Sequence, residues 1–78
     1  MNVKIYSRPN CTYCTRAKEF FQKKNIQYEE VRVGDHITTN TYVELTGMKS
    51  VPAIFINETL IGGYNDLVEY AIDNPEVF

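Results

Sequence analysis

Several residue types are scarce in this chain of 78 residues. It has no Trp, one His and two Cys, and no apolar run approaches the roughly 20 residues that a bilayer-spanning helix needs. A structural zinc site takes four ligands, and beyond the two Cys the chain offers only His36 among the Cys and His residues. We therefore expect no metal and no membrane partner, and we expect His36 to be a bystander.

A secretory signal and a surplus of basic residues are also missing. The first ten residues, MNVKIYSRPN, lack an apolar stretch followed by a cleavage site, so a cytoplasmic location is expected. The net charge is -2, which argues against nucleic acid as a partner because phosphate contacts need a basic surplus. Residues 1–24 hold six basic and one acidic side chain, whereas residues 25–78 hold two and nine, giving net charges of +5 and -7. Positive charge therefore gathers around the cysteines.

The length allows one domain with a thin core. A chain this short buries only about 60% of the surface that its unfolded form exposes, and neither a repeat nor a linker divides it. We expect residues 1–78 to form a single domain and any small-molecule site to be a shallow surface groove.

Turn residues at intervals of about ten predict short alternating strands and helices. Strands are predicted from the chain start up to Arg8, at 28–33, at 51–56 and at 59–61, and helices at 12–24, at 38–46 and from an Asn65 cap to about 73. The first two strands flank a helix and should be parallel, while the last two should form an antiparallel hairpin. The order β-α-β-α-β-β-α predicts an α/β fold with a mixed four-stranded sheet flanked by three helices.

The same patterns predict where the helices end and which side they bury. Asn10 or Cys11 caps the first helix, and Gly47 stops the second, which has Leu45 on its apolar spacing. In the last helix Asn65 is the predicted N-cap, and the predicted inward residues are Val68, Ala71 and Ile72.

The two cysteines form the motif Cys11-Thr12-Tyr13-Cys14, where a predicted strand ends and a helix begins. At this spacing they can close a disulfide within one helical turn. The first thiol faces the free N–H groups and the positive end of the helix dipole, which stabilise a thiolate, and Arg8 and Arg16 add positive potential. Such settings lower the pKa of the first thiol. Cys11 is therefore predicted to be a nucleophile at neutral pH.

Other interpretations of the Cys pair are weaker. A purely structural disulfide is disfavoured in a reducing cytosol and would close too short a loop to constrain the unfolded chain much. Half of a metal site and a pair of inert thiols remain open as alternatives.

Val51-Pro52 opens a strand that otherwise looks fully buried. Proline cannot donate to a sheet ladder, so it belongs at the strand entry, either as an ordinary trans residue or as a cis residue that turns the chain sharply. Next to a Cys pair we predict a cis Pro52 facing the thiols. The backbone of Val51 would then be free to pair with an extended peptide.

Two glycines precede the last helix, followed by Tyr64-Asn65-Asp66. Glycines permit close backbone approach, and a helix start presents free N–H groups. The segment is either a simple strand-to-helix turn or a site for a zwitterion, with N–H groups taking a carboxylate and Asp66 an ammonium. Tyr13 is an exposed aromatic of the kind that lines a groove.

Together these motifs resemble the glutaredoxin family over essentially the whole chain. The segments that carry the resemblance are Cys11-Thr12-Tyr13-Cys14-Thr15-Arg16-Ala17-Lys18, Leu45-Thr46-Gly47 followed by Ser50-Val51-Pro52, and Ile61-Gly62-Gly63-Tyr64-Asn65-Asp66. The resemblance implies a thioredoxin-like fold and thiol-disulfide exchange driven by glutathione. It is closest to the small bacterial and phage members, whose partners include ribonucleotide reductase, and it implies a monomer.

The resemblance also implies where glutathione, the reductant and co-substrate, binds. Its cysteinyl backbone pairs with Val51 before the cis Pro52. Its γ-glutamyl end contacts Gly63, Tyr64, Asn65 and Asp66. Its glycyl carboxylate lies near Arg8, Tyr13 and Lys49.

The chain departs from the commonest family pattern in ways that keep two alternatives open. Thr12 stands where dithiol members usually have Pro, Arg8 where many have Lys, and Ser50 where Thr is common. Some relatives without that Pro bridge a two-iron, two-sulfur cluster with glutathione, so a cluster-binding protein is one alternative. The other is a thioredoxin-like donor reduced by a flavoprotein reductase, although the segment 62–66 favours glutathione.

Overall fold

A computed structural model describes all 78 residues and contains the seven predicted elements in the predicted order. They are β1 (Val3–Ser7), α1 (Thr12–Lys23), β2 (Glu29–Arg32), α2 (Thr39–Thr46), β3 (Ala53–Ile56), β4 (Thr59–Gly62) and α3 (Tyr64–Asp73). The predicted start of β3 at residue 51 is wrong by two residues, because Pro52 has no N–H to donate to the ladder. None of the helices combines the length and the apolar composition needed to cross a bilayer.

The four strands form one mixed sheet in the order β2-β1-β3-β4. β1 and β2 are parallel, as expected of two strands joined through a helix, whereas β3 pairs antiparallel with both β1 and β4. This confirms the predicted parallel pair and the predicted hairpin. Cys11 lies in the segment that follows the end of β1, and Pro52 directly precedes the start of β3.

Alternating side chains divide the core between the two faces of the sheet. One cluster comprises Val3, Ile5, Ala17, Phe21, Ile54, Ile56 and Leu67, and joins the sheet to α1 and α3. The other comprises Tyr6, Val33, Tyr42 and Ala53, and joins the opposite face to α2. Because β1 places Ile5 on one face and Tyr6 on the other, it is buried on both sides.

The start of α3 differs from the prediction. Gly63, not Asn65, is the N-cap, and the Asp66 carboxylate accepts a hydrogen bond from the Gly63 N–H at 2.9 Å. An acidic residue at the third helical position closes the cap, so the helix begins earlier than an Asn65 cap would allow.

The buried faces of α3 and α2 also differ. Leu67 is fully buried in α3, whereas Ile72 is 72% exposed, because five residues at 100° each place Ile72 about 140° away around the helix. In α2 the inward residues are Tyr42 and Thr46, and Leu45 is 58% exposed. Leu45 lies to the side of the stripe that Tyr42 and Thr46 form at i and i+4.

Candidate redox site

Cys11 and Cys14 form a disulfide at the start of α1. Cys11 is the N-cap residue in an extended conformation, and its Sγ accepts a hydrogen bond from the Cys14 N–H at 3.1 Å. No acidic residue lies in the first turn of α1. The first sulfur therefore lies at the positive end of the helix, against a backbone donor that stabilises a thiolate when the disulfide is reduced.

The two sulfurs differ in accessibility. Cys11 is partly exposed, whereas Cys14 is only 1% exposed and lies on the buried side of α1. Solvent therefore reaches the Cys11 sulfur more readily than the Cys14 sulfur. This difference is suited to a nucleophilic role for Cys11 and a resolving role for Cys14, which stays a prediction.

The Val51–Pro52 peptide bond is cis, as predicted from the sequence. Residues 48–52 make no hydrogen bond between backbone groups, and Val51 is half-buried. The N–H and C=O of Val51 are therefore free to pair with an extended chain, in the manner of an added strand.

The start of α3 supplies a second set of free backbone groups. The N–H groups of Tyr64, Asn65 and Asp66 donate no hydrogen bond within the chain. Gly62 has a φ of 125°, and a side chain there would collide with the Asp66 carboxylate. A Cβ at Gly63 would lie 3.6 Å from the Pro52 carbonyl oxygen. The helix start therefore lies directly against the cis-proline segment.

These segments meet in one groove of about 290 Å³, which Tyr13 also lines, while neither Cys11 nor Cys14 is among its lining residues. Its lining residues are Tyr13, Met48, Ser50, Val51, Pro52, Gly63, Tyr64, Asn65 and Asp66. Seven of these nine were candidate binding residues in the sequence, and Met48 and Ser50 were not. Ser50 directly precedes Val51 in the motif that carries the resemblance, and Met48 lies three residues before Val51.

Arg8 and Lys49, the other two candidates, are not among the lining residues. The Arg8 guanidinium donates to the Thr39 hydroxyl at 2.8 Å, at the start of α2. Lys49 is exposed, between the lining residues Met48 and Ser50. Their assignment to a carboxylate of the ligand stays a prediction.

A different basic residue, Arg16, contacts a residue that lines the groove. The guanidinium of Arg16 lies 5.2 Å from the ring centroid of Tyr13, and the Tyr13 and Tyr64 rings are 6.1 Å apart. Arg16 was predicted only to add positive potential near Cys11. Arg16 therefore also makes a cation–π contact with a residue that lines the groove.

One of the basic side chains of α1 is neutralised by an ion pair. The ammonium of Lys18 lies 3.0 Å from the Glu30 carboxylate, which also accepts a 2.6 Å hydrogen bond from the buried Ser7 hydroxyl. The Ser7 hydrogen bond is the largest cause, ahead of Lys18, of the lowered pKa of Glu30. Glu30 therefore stays ionised and neutralises Lys18, which leaves Arg16 as the nearer uncompensated cation on α1.

Comparison with protein-family models matches residues 3–61 to the glutaredoxin family. Among curated proteins, the chain is 37% identical over 73 residues to glutaredoxin 3 of Escherichia coli strain K12, covering 92% of this chain and 86% of that protein. It is 32% identical over 69 residues to a hybrid peroxiredoxin of Haemophilus influenzae, covering 88% of this chain. The chain spans only 29% of that relative and less than half of some other curated relatives.

The fold is also that of solved glutaredoxins. A buckwheat glutaredoxin-glutathione complex superimposes with a TM-score of 0.82 at 29% identity, covering 96% of this chain and 72% of that one. The mixed four-stranded sheet with three helices is therefore a thioredoxin-like fold, as the resemblance implied.

Proposed function

The chain belongs to the glutaredoxin family, and on that premise we propose that it is a glutathione-dependent thiol-disulfide oxidoreductase. The domain proposed for this activity is residues 1–78. Its catalytic pair is Cys11 and Cys14, and its proposed compartment is a reducing one, the cytosol, where a dithiol is kept ready for use. The observation that carries the proposal is the groove, because it joins unpaired backbone groups of two segments with Tyr13, which lies between the two cysteines in sequence.

The free backbone of Val51 supports binding of the cysteinyl part of glutathione. An extended peptide laid along residues 51–52 can exchange two hydrogen bonds with the N–H and C=O of Val51, as in strand addition. Tyr13, which lies between the two cysteines in sequence, lines the same groove. This pairing presents the glutathione sulfur toward Cys11.

The start of α3 supports binding of the γ-glutamyl end. Its carboxylate is suited to the free N–H groups of Tyr64, Asn65 and Asp66, which also lie at the positive end of the helix dipole. Its ammonium is suited to the carboxylate of Asp66, which is exposed and uses one oxygen to bind the Gly63 N–H. The buckwheat relative, solved as a complex with glutathione, gives independent support.

By family resemblance we assign the glycyl carboxylate to Arg8, Tyr13 and Lys49. Lys49 lies between the lining residues Met48 and Ser50 in sequence, Tyr13 lines the groove, and Arg8 is not a lining residue. Binding there requires the Arg8 guanidinium to exchange its bond to Thr39 for one to the ligand. Arg16 beside Tyr13 supplies a further cation.

Reduction of a glutathionylated protein needs only Cys11. The Cys11 thiolate attacks the glutathione sulfur of the mixed disulfide, a bond forms between Cys11 and glutathione, and the protein thiolate leaves with the electron pair and takes up a proton. A second glutathione thiolate attacks the glutathionyl sulfur. Oxidised glutathione leaves and the Cys11 thiolate is regenerated.

Reduction of a protein disulfide needs both cysteines. Cys11 attacks one sulfur and forms a mixed disulfide, and Cys14 then attacks Cys11 and releases the reduced protein. The product on the enzyme is the Cys11–Cys14 disulfide seen in the structure. Two glutathione molecules reduce it and leave as one oxidised glutathione. Ribonucleotide reductase is the protein substrate that we propose by family resemblance.

A comparison of two reductants tests the proposal. Turnover of a glutathionylated peptide is measured with glutathione, glutathione reductase and NADPH, and reduction of the Cys11–Cys14 disulfide is measured with a flavoprotein thioredoxin reductase and NADPH. We expect rapid turnover with glutathione. Reduction by the flavoprotein alone would assign the chain to the thioredoxin-like donors instead.

A further inference from the structure

One hydrogen bond holds the segment that carries Val51. Residues 49–52 make no backbone-to-backbone hydrogen bond, and no side chain within the segment bonds to the rest of the chain. The exception comes from outside the segment, where the Tyr42 hydroxyl donates to the Ser50 carbonyl at 2.5 Å. Ser50 immediately precedes Val51, so this bond fixes the peptide unit that leads into the proposed binding backbone.

The Tyr42 hydroxyl is itself held in place by the sheet. Its side chain is 1% exposed and packs in the cluster with Tyr6, Val33 and Ala53. The Tyr6 and Tyr42 ring centroids are 5.6 Å apart. Burial raises the pKa of Tyr42 above its ordinary value of 10.0. The phenol therefore keeps the proton that it donates at neutral pH.

Met48, the residue before this segment, is held by a separate hydrogen bond. The Thr46 hydroxyl donates to the Tyr42 carbonyl at 2.8 Å and accepts from the Met48 N–H at 3.1 Å. Gly47 ends α2 with a φ of 69°. Met48 and Ser50 are thus each held by a hydrogen bond to a side-chain hydroxyl, and residues 49 and 51 lie on either side of Ser50.

We propose that Tyr42 is a positioning residue for glutathione, because it presets the Ser50–Val51 backbone for pairing with the extended ligand. This inference rests on the proposed function. When the anchor is missing, the segment must be ordered at the moment of binding, and the lost conformational entropy weakens affinity. Tyr42 is separated from the groove by Ser50, so it should leave the sulfur chemistry of Cys11 unchanged.

Tyr42→Phe tests the inference because it keeps the ring contacts and removes only the donor. The loss of one hydrogen bond of ordinary net strength corresponds to a roughly three- to tenfold change in an equilibrium constant. We expect KM for a glutathionylated peptide to rise by about that factor, with kcat and the alkylation rate of reduced Cys11 unchanged. Backbone ¹⁵N relaxation should show increased motion at residues 49–51 and no increase in α3.

Tyr28→Phe is the matched control. The Tyr28 hydroxyl accepts a hydrogen bond from the Gln22 side chain at 3.0 Å, and its ring packs on the cluster of the opposite sheet face. This variant loses a hydroxyl of the same kind far from the Ser50 carbonyl, so its KM should match that of the wild type.

Three results would overturn the inference. One is a Tyr42→Phe KM within twofold of the control, whatever its melting temperature, because that outcome makes the bond merely structural. Another is a fall in kcat and in Cys11 alkylation at constant KM, because the residue then acts on the thiol. If the wild type itself fails to turn over glutathionylated peptide, the proposed function fails and the inference fails with it.

Discussion

Asp66 caps α3 and is proposed also to bind glutathione, and substitution by Asn separates the two roles. One carboxylate oxygen accepts the Gly63 N–H at 2.9 Å, which caps the helix. The negative charge is proposed to hold the ammonium of the γ-glutamyl end. Asn keeps an oxygen acceptor for the Gly63 N–H but removes the charge. Asp66→Asn should therefore impair glutathione binding with little loss of stability.

The expected size of the effect follows from the environment of Asp66. A hydrogen bond to a charged partner contributes about 1.5 to 3 kcal/mol. Asp66 is exposed, and solvent screening places its contribution at the lower end of that range. About 1.4 kcal/mol corresponds to a factor of ten, so KM should rise roughly tenfold. The free energy of unfolding should fall by only a few tenths of a kcal/mol, from the lost charge near the helix start.

Steady-state turnover of a glutathionylated peptide measures KM, and added salt gives an internal check. In the wild type KM should increase with ionic strength, because salt screens the exposed charge pair, whereas this increase should be smaller in Asp66→Asn. Asp73→Asn removes a like charge from the other end of α3 and serves as the control. Asp66→Ala should match Asp66→Asn in KM but lose the cap as well, which costs about 1 kcal/mol and lowers the melting temperature by roughly 4 to 8 °C.

The assignment of the γ-glutamyl site would be refuted by one clear result. If Asp66→Asn and Asp73→Asn have the same KM within a factor of two, the carboxylate has no ammonium partner. A melting temperature of Asp66→Asn as low as that of Asp66→Ala would show that the Asn oxygen fails to replace the cap.

Three further predictions concern the cysteines and the fold. Cys14→Ser should retain turnover of glutathionylated peptide and lose most reduction of a protein disulfide, while Cys11→Ser should lose both; loss of both activities in Cys14→Ser would favour a thioredoxin-like donor. In the reduced protein, iodoacetamide at about pH 6 should modify Cys11 before Cys14 and faster than free cysteine, because only Cys11 caps α1, and the reverse order by peptide mapping would remove the nucleophile assignment. The pKa of Glu30 is lowered on folding, so its contribution to stability is complete above its ordinary value of 4.5 and is lost as pH falls through the lowered folded value. Denaturant unfolding should therefore show a shallower acid-side loss of stability in Glu30→Gln, and an unchanged slope would contradict a role for the Ser7 and Lys18 contacts.

Local sequence patterns were enough to predict the order of the helices and strands and the position of the Cys motif at a helix start. A strand followed by a Cys pair and a helix places Cys11 at the helix start, because the N–H groups there need an acceptor. The proline predicted a sharp turn at residue 52. Because a helix joins β1 to β2, the two strands were predicted to be parallel. These features depend on neighbours within about one turn of chain or on the handedness of a single crossover.

Long-range packing decided the points at which the sequence predictions were wrong. Whether Leu67 or Ile72 faces the sheet depends on how α3 rotates over β3 and β4, and either residue satisfies the helical spacing of apolar residues. The cap at Gly63 depended on the Asp66 side chain folding back on it. Leu45 also matched a helical spacing, but Tyr42 and Thr46 occupy the inward stripe.

The sequence by itself determined the order of elements, the place of the Cys pair and the identity of most groove residues, because each is written in short contiguous motifs. The resemblance implied that residues 51–52 and 63–66 bind one ligand, and the tertiary structure shows that they line one groove. Only the tertiary structure decided that Arg8 turns toward Thr39. It also showed the bond from Tyr42 to Ser50. The physical reason is that these contacts join segments distant in sequence or held only by side chains, and their geometry exists only after the helices have packed on the sheet.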